Sequence, residues 1–207
     1  MYENNIYSPA HMEIEHIFRE LFPKYGLALR ESQISLCHFM LDTLSQGKIS
    51  LCDAGVGIGK TYSYLVACIL LDKFYPTTTH SPVVISTSSV ALQTSVVGEY
   101  IPFLSHVIGK PIHAVIRKGK ERFVCDKRLA FRLSAIKGKS KNEEQLNALL
   151  SLQNHYDMDT VAGLSGFDKR QVCVPRVCDK SCKRRGRCCF HRYLKASQSG
   201  DVSVQIC

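Results

Sequence analysis

No apolar run in the 207-residue chain approaches the roughly 20 residues that a membrane-spanning helix needs. The opening stretch, MYENNIYSPAHMEIEH, is polar and acidic and lacks the basic-then-apolar order of a secretory leader. The expected address is therefore cytoplasmic, with no membrane partner. There is no internal repeat, and 13 Gly and 7 Pro are too few for a collagen-like chain. Hydrophobic residues at 45% and charged residues at 22% exclude wholesale disorder and fit one substantial core, or one and a half domains. A basic surplus is missing from only one half. Residues 1–116 carry 7 Lys and Arg against 9 Asp and Glu, whereas residues 117–200 carry 20 against 8, within an overall net charge of +9.

Ten cysteines in a chain without secretory features read as metal ligands or small buried hydrophobes before disulfides. Five of them fall between Cys173 and Cys189, inside the basic half. The first half alternates helical and extended patterns. Apolar spacing predicts helices over 11–22, ending before Pro23, over 33–45 behind a Ser32 cap, over 60–74, and over 91–104 with Pro102 tolerated or bending it. Residues 48–52, 83–87 and 111–117 read as buried strands, and 76–82 as a loop. Strands alternating with helices imply a parallel α/β sheet, because parallel neighbours need crossover connections. After Arg117 the pattern becomes helical over 126–136 and 142–153, joined by a basic turn at 137–141. No clear period follows over 155–174, then come the cysteines, a short helix near 192–196 and a strand over 202–206 that returns to the sheet. The basic segment reads as an insertion in an α/β domain.

Between the strand at 48–52 and the helix at 60 lies Ala54-Gly55-Val56-Gly57-Ile58-Gly59-Lys60-Thr61. This is the context of a P-loop. Backbone N–H groups and a helix N-terminus face phosphate, Lys60 reaches the β- and γ-phosphates, and the Thr61 hydroxyl holds Mg²⁺. A glycine-rich turn that merely joins strand to helix is the plainer alternative, and the placement of G-x-G-x-G-K-T favours the ATP site. Ala54 stands where the strict pattern has Gly.

The cysteine run is Cys173-x4-Cys178-x3-Cys182-x5-Cys188-Cys189. Lys180, Lys183, Arg184, Arg185 and Arg187 between these thiols are too charged for a core, and exposed free thiols are a liability. The same positive charges are expected to lower the thiol pKa values and favour metallation. Two schemes stay open at this point. Zinc would take four of the five locally, or an iron–sulfur cluster would take three together with the remote Cys125. Cys37, Cys52 and Cys68 sit in apolar contexts and read as core.

Taken in order, these motifs resemble the iron–sulfur helicases of superfamily 2, the DinG/XPD group, and within it the DinG-like bacterial members. Leu29-Arg-Glu-Ser-Gln33 resembles the R-x-x-Q element, in which Gln33 would contact the nucleotide base. Residues 54–61 resemble motif I, AGTGTGKT, where Ala at the first position is normal. Ile85-Ser-Thr-Ser-Ser-Val-Ala-Leu-Gln93 resembles motif Ia, which contacts the DNA backbone. Lys118-Gly-Lys-Glu-Arg-Phe-Val-Cys125 resembles the segment that brings the first cluster cysteine, and Cys182-x5-Cys188 with Phe190 resembles the end of the cluster domain.

The resemblance implies an α/β fold made of a partial RecA-like P-loop domain with a parallel sheet. A small, mainly helical iron–sulfur domain would be inserted after the third strand. The implied boundaries are 1–117 for the motor part, 118–197 for the cluster domain and 198–207 for the return. The implied 4Fe–4S ligands are Cys125, Cys178, Cys182 and Cys188, with Cys173 the second-choice ligand and Cys189 where Pro or Phe is usual. The implied activity of the intact protein is ATP-dependent 5′ to 3′ DNA helicase movement on single-stranded DNA. No Asp-Glu dipeptide occurs, so the Walker B pair that holds Mg²⁺ and orients water is missing. The expectation is therefore a fragment, a truncated product, or one part of a split enzyme whose second chain supplies those motifs. The contrasting expectation is a non-enzymatic, zinc-stabilised nucleic-acid-binding module on a nucleotide-binding domain.

Overall fold

The computed structural model describes residues 8–76, 82–136, 143–153, 157–178, 181–199 and 202–207. The basic turn expected at 137–141 and most of the loop expected at 76–82 lie outside the described residues. The fold is mixed α/β with a small parallel sheet, and it divides into two units, Met1–Ile116 with Gly200–Cys207, and Arg117–Ser199.

In the first unit, Ser8 accepts a hydrogen bond from His11 N and Pro9 opens helix α1, Pro9–Glu15. The helix continues through a π-helical segment, His16–Leu21, into a last turn, Phe22–Lys24. It thus runs past Pro23, where the sequence predicted an end. The wider π turn, with Phe22 N donating to Ile17 O, shifts the carbonyl that the proline ring would otherwise strike. The same arrangement recurs at Pro102. Helix α4, Val90–Ser95, passes through a π-helical segment, Val96–Tyr100, before helix α5, Ile101–Ile108, which ends on Gly109 at φ 69°. Between them in sequence lie α2, Glu31–Ser45, and α3, Lys60–Phe74. The core joins Ile14, Phe18, Leu41, Leu65, Leu104 and Ile206.

The sheet consists of β1, Val83–Ile85, β2, Ala114–Ile116, and β3, Val204–Ile206, in the order β1-β3-β2, all parallel. Val204 pairs with Val83 on one side and Ala114 on the other, and Ile206 with Ile85 and Ile116. The last strand in sequence is thus the central one, and its Val204 and Ile206 are buried. Residues 48–52, expected as a buried strand, pair with no strand among the described residues. Ile49 and Leu51 are 98% exposed, and Cys52 is half-buried rather than core. Alternating apolar residues make a strand only where a neighbour completes the hydrogen-bond ladder, and here none does. The basic segment accordingly follows the second paired strand, not a third.

In the second unit, helix α6, Asp126–Ile136, packs on α7, Glu143–Ser151, and on α8, Gly166–Val172. Helix α9, Cys189–Ser197, closes it. A separate core is built on Val124, Leu129, Leu149, Leu152, Met158 and Val172. Isolated antiparallel bridges, Phe123 with Asp157 and Val124 with Cys173, tie the entry of the unit to its later half.

Candidate functional site

Residues 54–59 turn into α3, with Gly57 and Gly59 in left-handed conformations, φ 85° and 87°. Two side chains from the start of α2 hold this turn. Arg30 Nη1 donates to Gly57 O at 2.6 Å, and Gln33 Nε2 donates to Gly59 O at 2.8 Å. Gln33 is only 5% exposed, and a Cβ on Gly59 would overlap its amide, so glycine is required there by space as well as by φ. Ser63 Oγ, one turn into α3, donates to Gln33 O at 2.9 Å and fixes the two helices together.

Lys60 Nζ donates to Ala54 O and Gly55 O, both at 2.8 Å, so its ammonium folds over the loop it follows. Neither Lys60 nor Arg30 forms an ion pair among the described residues. Two uncompensated cations beside a helix N-terminus make an anion-favouring corner. Val56 is fully exposed at the tip, Ile58 and Ala54 are half-buried, and Thr61 is half-buried at the start of α3. Beside Gly59 and Thr61 opens a cavity of about 180 Å³ walled by Arg30, Gln33, Tyr62 and Tyr100. Tyr62 and Tyr100 meet edge to face at 5.0 Å. Burial, then the neighbouring Tyr100 and Glu99, raise the Tyr62 phenol above its ordinary pKa, so it remains a neutral donor. The Arg30 tether and the two tyrosines were not singled out from the sequence. The R-x-x-Q spacing carried the first signal, and nothing local carried the second.

In the second unit a cavity of about 30 Å³ is lined by Cys125, Cys178, Cys182 and Cys188, with Arg184, Arg185 and His191 on its wall. Cys125 reaches it because Cys125 N donates to Val172 O and Val174 N donates to Phe123 O, at 2.8 and 2.9 Å, which lays residues 123–125 against 172–174. Cys182 and Cys188 flank a 3-10 turn, Arg185–Arg187, and Cys188 is the N-cap of α9. The two remaining thiols are engaged elsewhere. Cys173 Sγ donates to Arg170 O and takes a long contact from Arg128 Nη1, at 3.4 and 3.8 Å, while Cys189 Sγ accepts from Arg192 Nη2 at 3.1 Å.

The expectation that the positive charges lower these thiols needs correcting at Cys178. Burial raises its pKa, and the neighbouring Cys182, Cys188 and Cys125 raise it further, with only Arg185 opposing. The four cysteines share the lining of this one cavity. Among the described residues, no three His, Cys, Asp or Glu side chains close on a single metal-ion position. As a donor set, four thiols on one cavity fit a soft, thiophilic metal or an iron–sulfur group.

No family model matches the chain. A protein of Bacillus subtilis (strain 168) named 3'-5' exonuclease DinG is 31% identical over 111 residues, which are 54% of this chain and 11% of that protein. The protein of the same name from Staphylococcus aureus (strain USA300) is 26% identical over 111 residues, again 54% of this chain and 12% of the relative. Over those 111 residues the chain is similar to the DinG proteins. It spans about a tenth of the length of the DinG proteins it matches. Among the described residues, no helix is long and apolar enough to cross a membrane.

Proposed function

We propose that this DinG-like chain is the nucleotide-binding and iron–sulfur part of an ATP-dependent DNA helicase that moves 5′ to 3′ on single-stranded DNA. In this reading the loop 54–61 cradles the phosphates of ATP, Lys60 leaves the Ala54 and Gly55 carbonyls for the β- and γ-phosphates, and Thr61 meets Mg²⁺. Cys125, Cys178, Cys182 and Cys188 hold a 4Fe–4S cluster, which supplies a rigid cross-link between distant stretches of the basic unit. The exposed Lys and Arg of that unit meet the phosphates of the strand.

The observation that carries the reading is the company Cys125 keeps. A local zinc site would draw its four ligands from the run 173–189. The sulfur that shares the cavity with Cys178, Cys182 and Cys188 is instead Cys125, while Cys173 and Cys189 are engaged by Arg170 and Arg192. This supports the cluster scheme over the zinc-stabilised module. Protein purified without oxygen should hold about four irons and matching acid-labile sulfide. C125S should lose both, and C189S should keep them. Stoichiometric zinc without sulfide, or a C125S protein with unchanged metal, would overturn the reading.

The relatives' name favours a second reading, a 3′ to 5′ exonuclease. A 5′-labelled oligonucleotide incubated with the chain and Mg²⁺ separates the two, because an exonuclease of that polarity leaves a ladder of shortened labelled products.

A further inference from the structure

The second unit carries two large exposed rings that its core does not use. Phe131 on α6 is 75% exposed and Phe167 on α8 is 52% exposed. The two helices pack on each other, and Arg132, the residue after Phe131, lays its guanidinium over the Phe167 ring, 5.1 Å from the centroid. That guanidinium is itself fixed, since Arg132 Nε and Nη2 both reach Asp168 Oδ1 at 2.9 Å. Phe167 therefore has one face backed by a clamped cation, and the ring is held rather than free to collapse onto the protein. Lys127, four residues before Phe131, and Arg170, three after Phe167, are exposed on the same helices. Together α6 and α8 hold five Lys and Arg against two Asp, and Asp168 is fully buried under Arg132.

A single exposed apolar side chain means little. Two exposed aromatic rings, one of them backed by a clamped cation, among exposed cations in a unit with a surplus of twelve positive charges match one chemistry closely. The cations suit phosphates and the rings suit unpaired bases, whereas a base-paired duplex would offer phosphates alone. We propose that Phe131 and Phe167 form a stacking platform for the unpaired bases of a single-stranded nucleic acid, with Lys127 and Arg170 on its phosphates. This rests on the nucleic-acid reading above and adds to it a place and a mode of contact, base stacking on two rings that do not line the thiol cavity, which Lys127 borders.

The chain contains no tryptophan, so F131W and F167W each introduce a unique fluorophore that keeps the ring. Two oligodeoxynucleotides of equal length are titrated, one of thymidines and one of abasic sites, with an oligouridine in parallel to compare RNA. The indole emission of both variants should fall on binding the oligomers that carry bases and stay unchanged on binding the abasic one. In anisotropy titrations, F131A and F167A should each weaken the thymidine oligomer at least about fivefold, and the abasic oligomer less than about twofold. Equal binding of all oligomers by wild type and variants would overturn the platform and leave the electrostatic reading intact. Equal loss on thymidine and abasic oligomers would overturn it as well, because it would show that the rings act through the fold. Failure of the wild-type chain to bind any oligomer would overturn both.

Discussion

Gln33 shows how one amide can be claimed by two partners. The resemblance gives it to the nucleotide base. In the fold its Nε2 already donates to Gly59 O, the residue's main-chain carbonyl accepts from Ser63 Oγ, and the residue is almost wholly buried. It braces the left-handed Gly59, which sets where the first N–H groups of α3 point. A brace and a base reader fail differently. With Q33A we expect the affinity for ATP and for inorganic triphosphate to fall by the same factor, about fivefold for one lost hydrogen bond. Calorimetric titration of both ligands checks this, and a loss confined to ATP would return Gln33 to the base. The stretch 54–61 was legible because its residues are contiguous. The brace was not, since it joins positions 26 apart and depends on which way a buried amide turns.

Among the elements, α6 and α8 are joined through Asp168. Its carboxylate is fully buried, takes Arg132 on Oδ1, and takes the Ser165 hydroxyl and the Gln145 amide on Oδ2. Burial alone would raise its pKa. The hydrogen bonds from Ser165, Gln145 and Arg132, with the Arg132 charge, outweigh that and hold it below the ordinary carboxylate value. A depressed folded-state pKa gives stability that is complete above the unfolded value, near 4, and is lost as pH falls through the folded one. We therefore expect D168A, which leaves Arg132 without its carboxylate, to cost about 3 kcal/mol near neutral pH, and the deficit to shrink on acidification. Urea unfolding read with amide exchange in α8 checks this, and a cost under about 0.5 kcal/mol would refute it.

This network also explains why α8 was illegible as a helix. Its buried positions are Asp168 and Val172, so a polar residue sits where the apolar period should show. One signal was there. Ser165 caps the helix by accepting from Asp168 N, the S-x-x-D pattern of a helix start. At residues 48–52 the error ran the other way. Ile49 and Leu51 alternate like a strand, but pairing is non-local and no period can contain it. The same limit hid the choice among the cysteines, because Cys125 is brought to its cavity by the bridges of 123–125 with 172–174.

At the scale of the whole molecule the charge asymmetry was plain from counting, but counting does not say which cations are free to meet a partner. Many are engaged within the basic unit. Lys118 pairs with Asp157, Arg122 with Asp159 at 2.9 Å, Arg128 holds the Cys173 carbonyl and Arg132 holds Asp168. Between Cys182 and Cys188 the exposed cations are Lys183, Arg184, Arg185 and Arg187, but Arg184 and Arg185 line the thiol cavity, so neutralising them disturbs the proposed metal site as well. Lys183 and Arg187 do not line it, which makes them the clean probes. If these two side chains sit on phosphates of a single strand, each releases counterions worth about 0.7 in the slope of log K against log salt. For K183A/R187A we expect that slope to become shallower by about 1.4, with iron and sulfide content unchanged. Anisotropy titrations of a labelled oligonucleotide across a salt series give the number. An unchanged slope with normal metal content would mean that the segment between Cys182 and Cys188 stands off the nucleic acid, and that the remaining exposed cations of the unit, Lys127 and Arg170 among them, carry the phosphate contacts.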